Sequence, residues 1–363
     1  MESDPREEPE AFVDRMFAQA IDRGASDLYW LPCANRLNIR LRRDGIQEDL
    51  ADVPCEYGAQ CVARIKVMSR LLTYRTKIAQ DGVIRDFVHR AGAELRVSVM
   101  PTSRGERVSI RIQRTDHGPL YLEDLKFAPE VILSLRAMLE RPSGLLVLTG
   151  PTGSGKTTTI YAMIRELLRS NQDPASIITI EDPIECAIDG ISQTSVSEGD
   201  GWGYAAALRS ALRHDIKTLV VGEMRDPEVV RVTLDAALTG HRIITTFHAG
   251  DIPSVYARLL HQGFEPFLVA AAVTGVVSQR LIPRRDKAGQ VPVVATLVPN
   301  DAWRDFITQN PGLGALRKQI ARYPAADLPT VAGSLVQAEL ITESEQRRIC
   351  ADQSDASEPD GAP

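Results

Sequence analysis

The sequence has 363 residues, 44% of them hydrophobic and 25% charged, with a formal net charge of −6. Its length suits two globular domains of roughly 100–200 residues each plus short tails. The composition excludes disordered and fibrous classes, and the acidic balance offers no electrostatic footprint for nucleic acid.

Residues 1–10 lack the cationic start and apolar stretch of a secretory signal, so a loose tail and a cytoplasmic chain are expected. Phe12, Met16, Phe17 and Ala20 recur at helical spacing and Gly24 follows, predicting an amphipathic helix over 9–23. Alternating segments at 37–42, 94–100 and 107–112, with helical character over 60–72, predict an α+β domain covering 11–114. The turn-rich stretch from Thr115 to Leu120 opens a linker over 115–128. From 129 to 300 a helix leads into apolar strands that alternate with helical patterns, which predicts an α/β domain with a mostly parallel sheet covered on both faces.

Helices around 301–309 and 328–348 are expected to form a C-terminal helical segment over 301–350, and the polar tail 351–363 to stay disordered. The longest nearly apolar run, 267–277, contains Thr274 and Gly275 and is about half of the ~20 residues a spanning helix needs. Cys33, Cys55, Cys61, Cys186 and Cys350 form no CxxC pair, so neither a zinc site nor a disulfide framework is expected.

The chemistry is concentrated in the second domain. Gly150-Pro151-Thr152-Gly153-Ser154-Gly155-Lys156-Thr157, with Thr158 after it, matches G-x-x-x-x-G-K-[ST] between an apolar strand and a helix. Glycines there let backbone N–H groups turn toward phosphate oxygens, Lys156 can reach the β- and γ-phosphates, and the Thr157 hydroxyl can hold Mg²⁺. The apolar strand from Thr218 releases Glu223 at its carboxyl end. Glycine occupies 222, where many P-loop enzymes carry a metal-organising aspartate, so Glu223 reads as the general base for water. Asp226 before Pro227 suits a helix N-cap better than catalysis.

Glu181, Asp182 and Glu185 form a second acidic cluster after another apolar strand, open to two readings: a site sharing the organisation of metal and water, or solvated surface. His241 begins a third strand and His248 ends it at the edge of Glu223, where a donor could sense the γ-phosphate. A structural histidine is the commoner case.

These residues resemble one family, the ATPases of type II secretion and type IV pilus systems. Residues 150–159 resemble its Walker A motif, 178–185 its Asp box, 219–226 its Walker B and 239–248 its His box, in that order. Upstream, Ala25-Ser26-Asp27, Gln80-Asp81-Gly82 and the stretch from Leu95 to Glu106 are similar to the family's N-terminal domain, so the resemblance spans about 11–300. It implies a RecA-like P-loop ATPase domain preceded by a smaller α+β, PAS-like domain. It further implies ATP and Mg²⁺ as cofactors, a homo-hexameric ring and an inner-membrane platform protein as partner, peripheral to the membrane and without nucleic acid.

Arg96 and Arg111 match the arginines this family supplies to a neighbour's nucleotide; read from the residues alone they would be strand-face arginines paired with surface acids. Tyr29, Ala79, Ile216 and Lys217 depart from the family pattern, as does Ala249-Gly250-Asp251 after His248. The stretch just after Gln279-Arg280-Leu281, where secretion and extension members carry a zinc element, has no cysteine, and the extra adaptor domain of many members is not expected here. The expected function is an ATP-driven motor for pseudopilin or pilin assembly. The alternatives are a retraction motor and a low-turnover nucleotide-dependent regulatory subunit.

Overall fold

A computed structural model describes residues 7–43, 45–84, 93–114, 120–170, 172–197, 201–286 and 289–355. The tails at 1–6 and 356–363 and the joint at 115–119 lie outside the described residues. The chain divides into two units, residues 1–118 and 119–363.

In the first unit α1 (Pro9–Asp22) starts on a proline and buries Phe12, Val13, Met16, Phe17, Ala20 and Ile21 along one stripe. Gly24, at φ +73, ends it. The chain then runs through β1 (Asp27–Pro32), β2 (Arg36–Arg43), β3 (Ile46–Pro54), α2 (Cys55–Met68), β4 (Gln80–Ile84), β5 (Ala93–Thr102) and β6 (Gly105–Arg114). Helix α2 starts earlier than the expected 60–72, directly after Pro54, and is followed by Arg70 at φ +59. The six strands form an antiparallel sheet in the order β3-β2-β1-β6-β5-β4. Leu28, Trp30, Val97, Val99, Val108 and Ile110 alternate onto its buried face and share a core with both helices.

One charge is inside this core. Lys66 of α2 is 1% exposed, and its Nζ donates to Glu106 Oε1 at 2.7 Å and to the Arg75 carbonyl at 3.0 Å. Lys66→Ala would strand both acceptors, so it is expected to destabilise this unit by about 3 kcal/mol. Amide exchange in β5 and β6 of the full chain checks this; unchanged protection would contradict it.

The second unit comprises α3 (Pro129–Glu140), β7 (Gly144–Thr149), α4 (Lys156–Arg169), β8 (Ile177–Glu181), β9 (Ser192–Ser195), α5 (Tyr204–Ala211), β10 (Thr218–Val221), α6 (Pro227–Leu238), β11 (Arg242–Phe247), α7 (Ile252–His261), α8 (Pro266–Ala272), β12 (Val273–Pro283) and β13 (Gln290–Leu297). Helices α9 (Asp301–Thr308), α10 (Leu313–Ile320), α11 (Leu328–Gln337) and α12 (Glu343–Asp355) complete it. The seven-stranded sheet has the order β13-β12-β7-β11-β10-β8-β9, parallel throughout except for the β12–β13 pair.

β7 is buried along its whole length because the sheet is covered twice. Leu145 and Val147 join the core on one face, Leu146 and Leu148 the core on the other with Ile160, Met163 and Ile164 of α4. The helices after residue 300 are not set apart from this domain: Trp303, Ile307, Leu316 and Leu328 lie in the same core as Tyr256 and Val293. The apolar run 267–277 splits between α8 and β12, and no described helix is long and apolar enough to cross a membrane. Helix α12 continues to Asp355, inside the stretch expected to be an unstructured tail.

Candidate active site

The phosphate loop leaves β7 at the carboxyl end of the parallel strands, where open α/β sheets bind ligands. Gly150, Gly153 and Gly155 take φ +141, +78 and +86, conformations that L side chains rarely adopt. Gly155 is also the N-cap of α4, so the loop amides and the helix N-terminus converge on one place. Pro151, Thr152, Gly153 and Thr158 are exposed, Thr157 is half-buried on the first turn of α4, and Ser154 is buried. Lys156 Nζ donates to the carbonyls of Gly150 at 2.8 Å and Pro151 at 2.9 Å. Burial pushes the Lys156 ammonium below the usual lysine value; nearby Glu223 opposes that shift and Arg280 adds to it. Lysine, carboxylate and arginine from three segments thus act on one another electrostatically beside the loop.

Glu223 stands just past β10, and its backbone is held there by three hydrogen bonds. The Gly222 amide donates to Ile180 O at 2.8 Å, Thr246 Oγ1 to Gly222 O at 2.6 Å, and the Met224 amide to Thr246 O at 3.1 Å. The carboxylate is 12% exposed. Arg225 Nε donates to Oε2 at 2.7 Å, which raises the affinity of the guanidinium for its proton. Oε1 lies 2.5 Å from His248 Nε2, a close approach without hydrogen-bond alignment, and has no hydrogen-bond donor among the described residues.

A Cβ at position 222 would fall 2.8 Å from Tyr204 Oη and 3.2 Å from Ile180 O, so a side chain there would have to displace the tyrosine. Burial, with Asp182 adding to it, pushes that phenol up to about 12. Glycine at 222 therefore makes room for a tyrosine, and Glu223 is left as the acid at this strand end.

His248 belongs to a loop that is pinned to the end of β7, where the phosphate loop begins, and to α7 and β12. Thr149 Oγ1 donates to the carbonyls of Phe247 at 3.0 Å and Ala249 at 2.5 Å, Arg258 bonds the His248 carbonyl, and Arg280 Nη2 donates to Gly250 O at 3.1 Å. His241 is not brought to this cluster within one subunit. It precedes β11 at the opposite end of that strand, about 20 Å away by the strand rise, with Nδ1 against Ala236 O at 3.2 Å.

Glu181 is placed differently from an open metal-linked acid. It is 5% exposed; Tyr161 Oη donates to Oε2 and Thr179 Oγ1 to Oε1, each at 2.5 Å, and Gln193 Nε2 to Oε1 at 3.2 Å. Tyr161 Oη in turn accepts from the amides of Glu185 and Cys186. Glu181 therefore buttresses the acidic turn, on which Asp182 and Glu185 are exposed.

In the N-terminal unit Arg96 and Arg111 are directly opposite each other on β5 and β6. Arg96 Nε donates to Glu94 Oε1 at 3.3 Å and Arg111 Nε to Asp27 Oδ1 at 3.4 Å, and Arg111 is 64% exposed. Two cations facing each other across a pair of strands oppose stability.

Arg225, Tyr204, Tyr161, Thr149 and Arg280 were not identified from the sequence as parts of the site. Arg225 had a usable signal, its place two residues from Glu223 on a non-helical segment; the other four had none, because their partners are remote in sequence.

The model of the family described as type II/IV secretion system protein matches residues 3–330. The chain belongs to that family. Among curated members, the type II secretion system protein HxcR of Pseudomonas aeruginosa is 39% identical over 272 residues, 75% of this chain and 57% of the relative. The type II secretion system ATPase E of Vibrio cholerae is 37% identical over 270 residues, 74% of this chain and 53% of that protein. The chain thus spans about half the length of the curated family members it matches. The crystal structure of the pilus retraction motor PilT with bound ADP superposes with a TM-score of 0.70 at 27% identity, covering 93% of this chain and 96% of that one.

Proposed function

We propose that this chain is an ATP-hydrolysing subunit of a secretion or pilus machine, working in a homo-oligomeric ring, hexameric by the family resemblance. Its task is to power pseudopilin or pilin assembly through an inner-membrane platform protein, from the cytoplasm and without nucleic acid. The observation that carries this reading is the convergence of Lys156, Glu223 and His248 at the mouth of the phosphate loop. An oriented carboxylate oxygen with no aligned donor is what a water nucleophile needs beside a triphosphate.

ATP fits the loop because its glycine conformations free the backbone amides for phosphate and Lys156 supplies the charge. Mg²⁺ fits the donor available, the Thr157 hydroxyl at the start of α4, since this ion takes few protein ligands and keeps water and phosphate oxygens. Bound there, it would neutralise charge on the β- and γ-phosphates. Glu223 then accepts the proton of the attacking water, Arg225 and His248 hold the carboxylate in place, and Glu181 with Tyr161 keeps the adjoining acidic turn rigid. We read the N-terminal unit as PAS-like and the second as RecA-like, with 115–128 as the linker between them. Arg96 and Arg111 of one subunit then serve the nucleotide of the next. The likeness to a retraction motor supports a second reading, filament disassembly by the same chemistry.

Steady-state phosphate release tests the enzyme, and mixing tests the ring. Arg96→Ala and Arg111→Ala should each lower kcat about ten- to a hundredfold, the scale of a lost charged hydrogen bond. The double arginine variant mixed with Lys156→Ala should recover activity that neither has alone. If no mixture exceeds the sum of its parts, the arginines do not act across subunits.

A further inference from the structure

β12 runs parallel to β7, pairing Val277 with Leu148 and Ser278 with Thr149. The next residue along, Gln279, falls level with Gly150, where the chain leaves the sheet for the phosphate loop. Gln279 is 3% exposed, although glutamine is ordinarily a surface residue. Its carbonyl oxygen stands 2.2 Å from where a Cβ on Gly150 would sit, and its Nε2 stands 2.8 Å from the same point on Gly155. Its Oε1 accepts from Thr159 Oγ1 at 2.8 Å, across 120 residues of sequence. Thr159 is fully buried in α4, and its Oγ1 also reaches the Gly155 carbonyl at 3.1 Å. A single residue therefore abuts both ends of the phosphate loop and is hydrogen-bonded to the helix that follows it.

We propose that Gln279 is a positioning residue for nucleotide binding: from β12 it fixes the phosphate loop against α4 through Thr159, and so sets the affinity for ATP. This deepens the ATPase reading and rests on it. The loop binds phosphate with backbone amides, which act together only if the loop holds one shape. Glycines at φ +141, +78 and +86 leave that shape poorly restrained by the loop's own residues. Lys156 Nζ braces only the first turn from within, on the Gly150 and Pro151 carbonyls, and the Gln279–Thr159 hydrogen bond is placed to hold the loop against α4 from outside. Thr159→Val leaves Gln279 Oε1 without its donor, and Gln279→Met leaves the Thr159 hydroxyl only the Gly155 carbonyl, so either substitution unties β12 from α4. Gln279 has no part in proton transfer from water, so the hydrolytic step should be spared.

The test uses the full chain and measures the Kd for ATP by calorimetry together with steady-state KM and kcat. Gln279→Met and Thr159→Val should each weaken ATP binding roughly tenfold, with kcat at saturating ATP within about threefold of wild type. The double variant should be no more than about twofold weaker than the worse single, since both remove one interaction. Thr159→Ser, which keeps the hydroxyl and drops the methyl, should bind within about twofold of wild type. A packing role inverts the threonine pair, with Ser impaired and Val normal; that result overturns the proposal, as do additive losses or an unchanged Kd in a folded Gln279→Met. If Gln279→Met does not fold, the Val and Ser variants decide alone. A wild-type chain that binds ATP without turnover would count against the ATPase reading, while the Kd ratios still judge Gln279.

Discussion

Glu223→Gln is expected to bind ATP with near wild-type affinity and to lower kcat by roughly 10²–10⁴, the contribution of a general base. The substitution keeps the shape of the side chain, and a glutamine oxygen can still accept from Arg225 Nε, now 2.7 Å away. What it loses is the basic oxygen beside His248 Nε2, the one without an aligned donor among the described residues. Neither position 222 nor Glu181 is placed to replace it. A side chain at 222 would have to displace Tyr204, and both oxygens of Glu181 are engaged by protein donors. The measurement is phosphate release at saturating ATP together with nucleotide binding by calorimetry. A Gln variant that turns over within threefold of wild type removes Glu223 from the chemistry and leaves only a packing role. An equal fall in affinity and kcat would instead mean that the carboxylate organises the bound nucleotide.

The parts of this site that were legible in the sequence are those whose signal is local. An apolar strand, a glycine-rich turn and a helix in succession place the phosphate loop, because each element leaves its own period in the chain. The same argument locates Glu223 and His248 at the carboxyl ends of two strands, and with parallel strands that end is shared. Periodicity tells which face of an element is buried but not what lies against it. The bond from Gln279 to Thr159 spans 120 residues and that from Tyr161 to Glu181 spans 20, so neither leaves a pattern in any window. The same limit explains why the chain after residue 300 reads only as a C-terminal helical segment. Trp303 and Leu328 fall in expected helices, but the pattern does not say that their apolar faces complete the core beneath β13 and α7. His241 and His248 are a different case: the sequence already places them at the start and the end of one strand, and β11 carries them to opposite ends of the sheet although one motif contains both.

Lys156→Ala should weaken ATP binding by roughly 10²–10³ or more, the scale of truncating one partner of a buried charged contact. Two losses combine in that number. The ammonium is the phosphate loop's own cation, and burial makes its charge count for more because less water screens it. It is also a brace, since Nζ ties Gly150 O to Pro151 O across the first turn of the loop. Lys156→Arg separates these contributions: it restores charge but is too long and too planar to lie on the two carbonyls in the same way. If charge alone matters, Arg recovers most of the affinity; if the brace matters as well, Arg stays closer to Ala than to wild type. Calorimetric Kd values for ATP on the three chains measure both, with circular dichroism to show that the helix content is unchanged. An alanine variant that binds ATP within threefold of wild type would mean that triphosphate is held somewhere other than this loop. The roles given to Glu223, Arg96 and Arg111 would then fall with it, because each is defined by where the γ-phosphate sits.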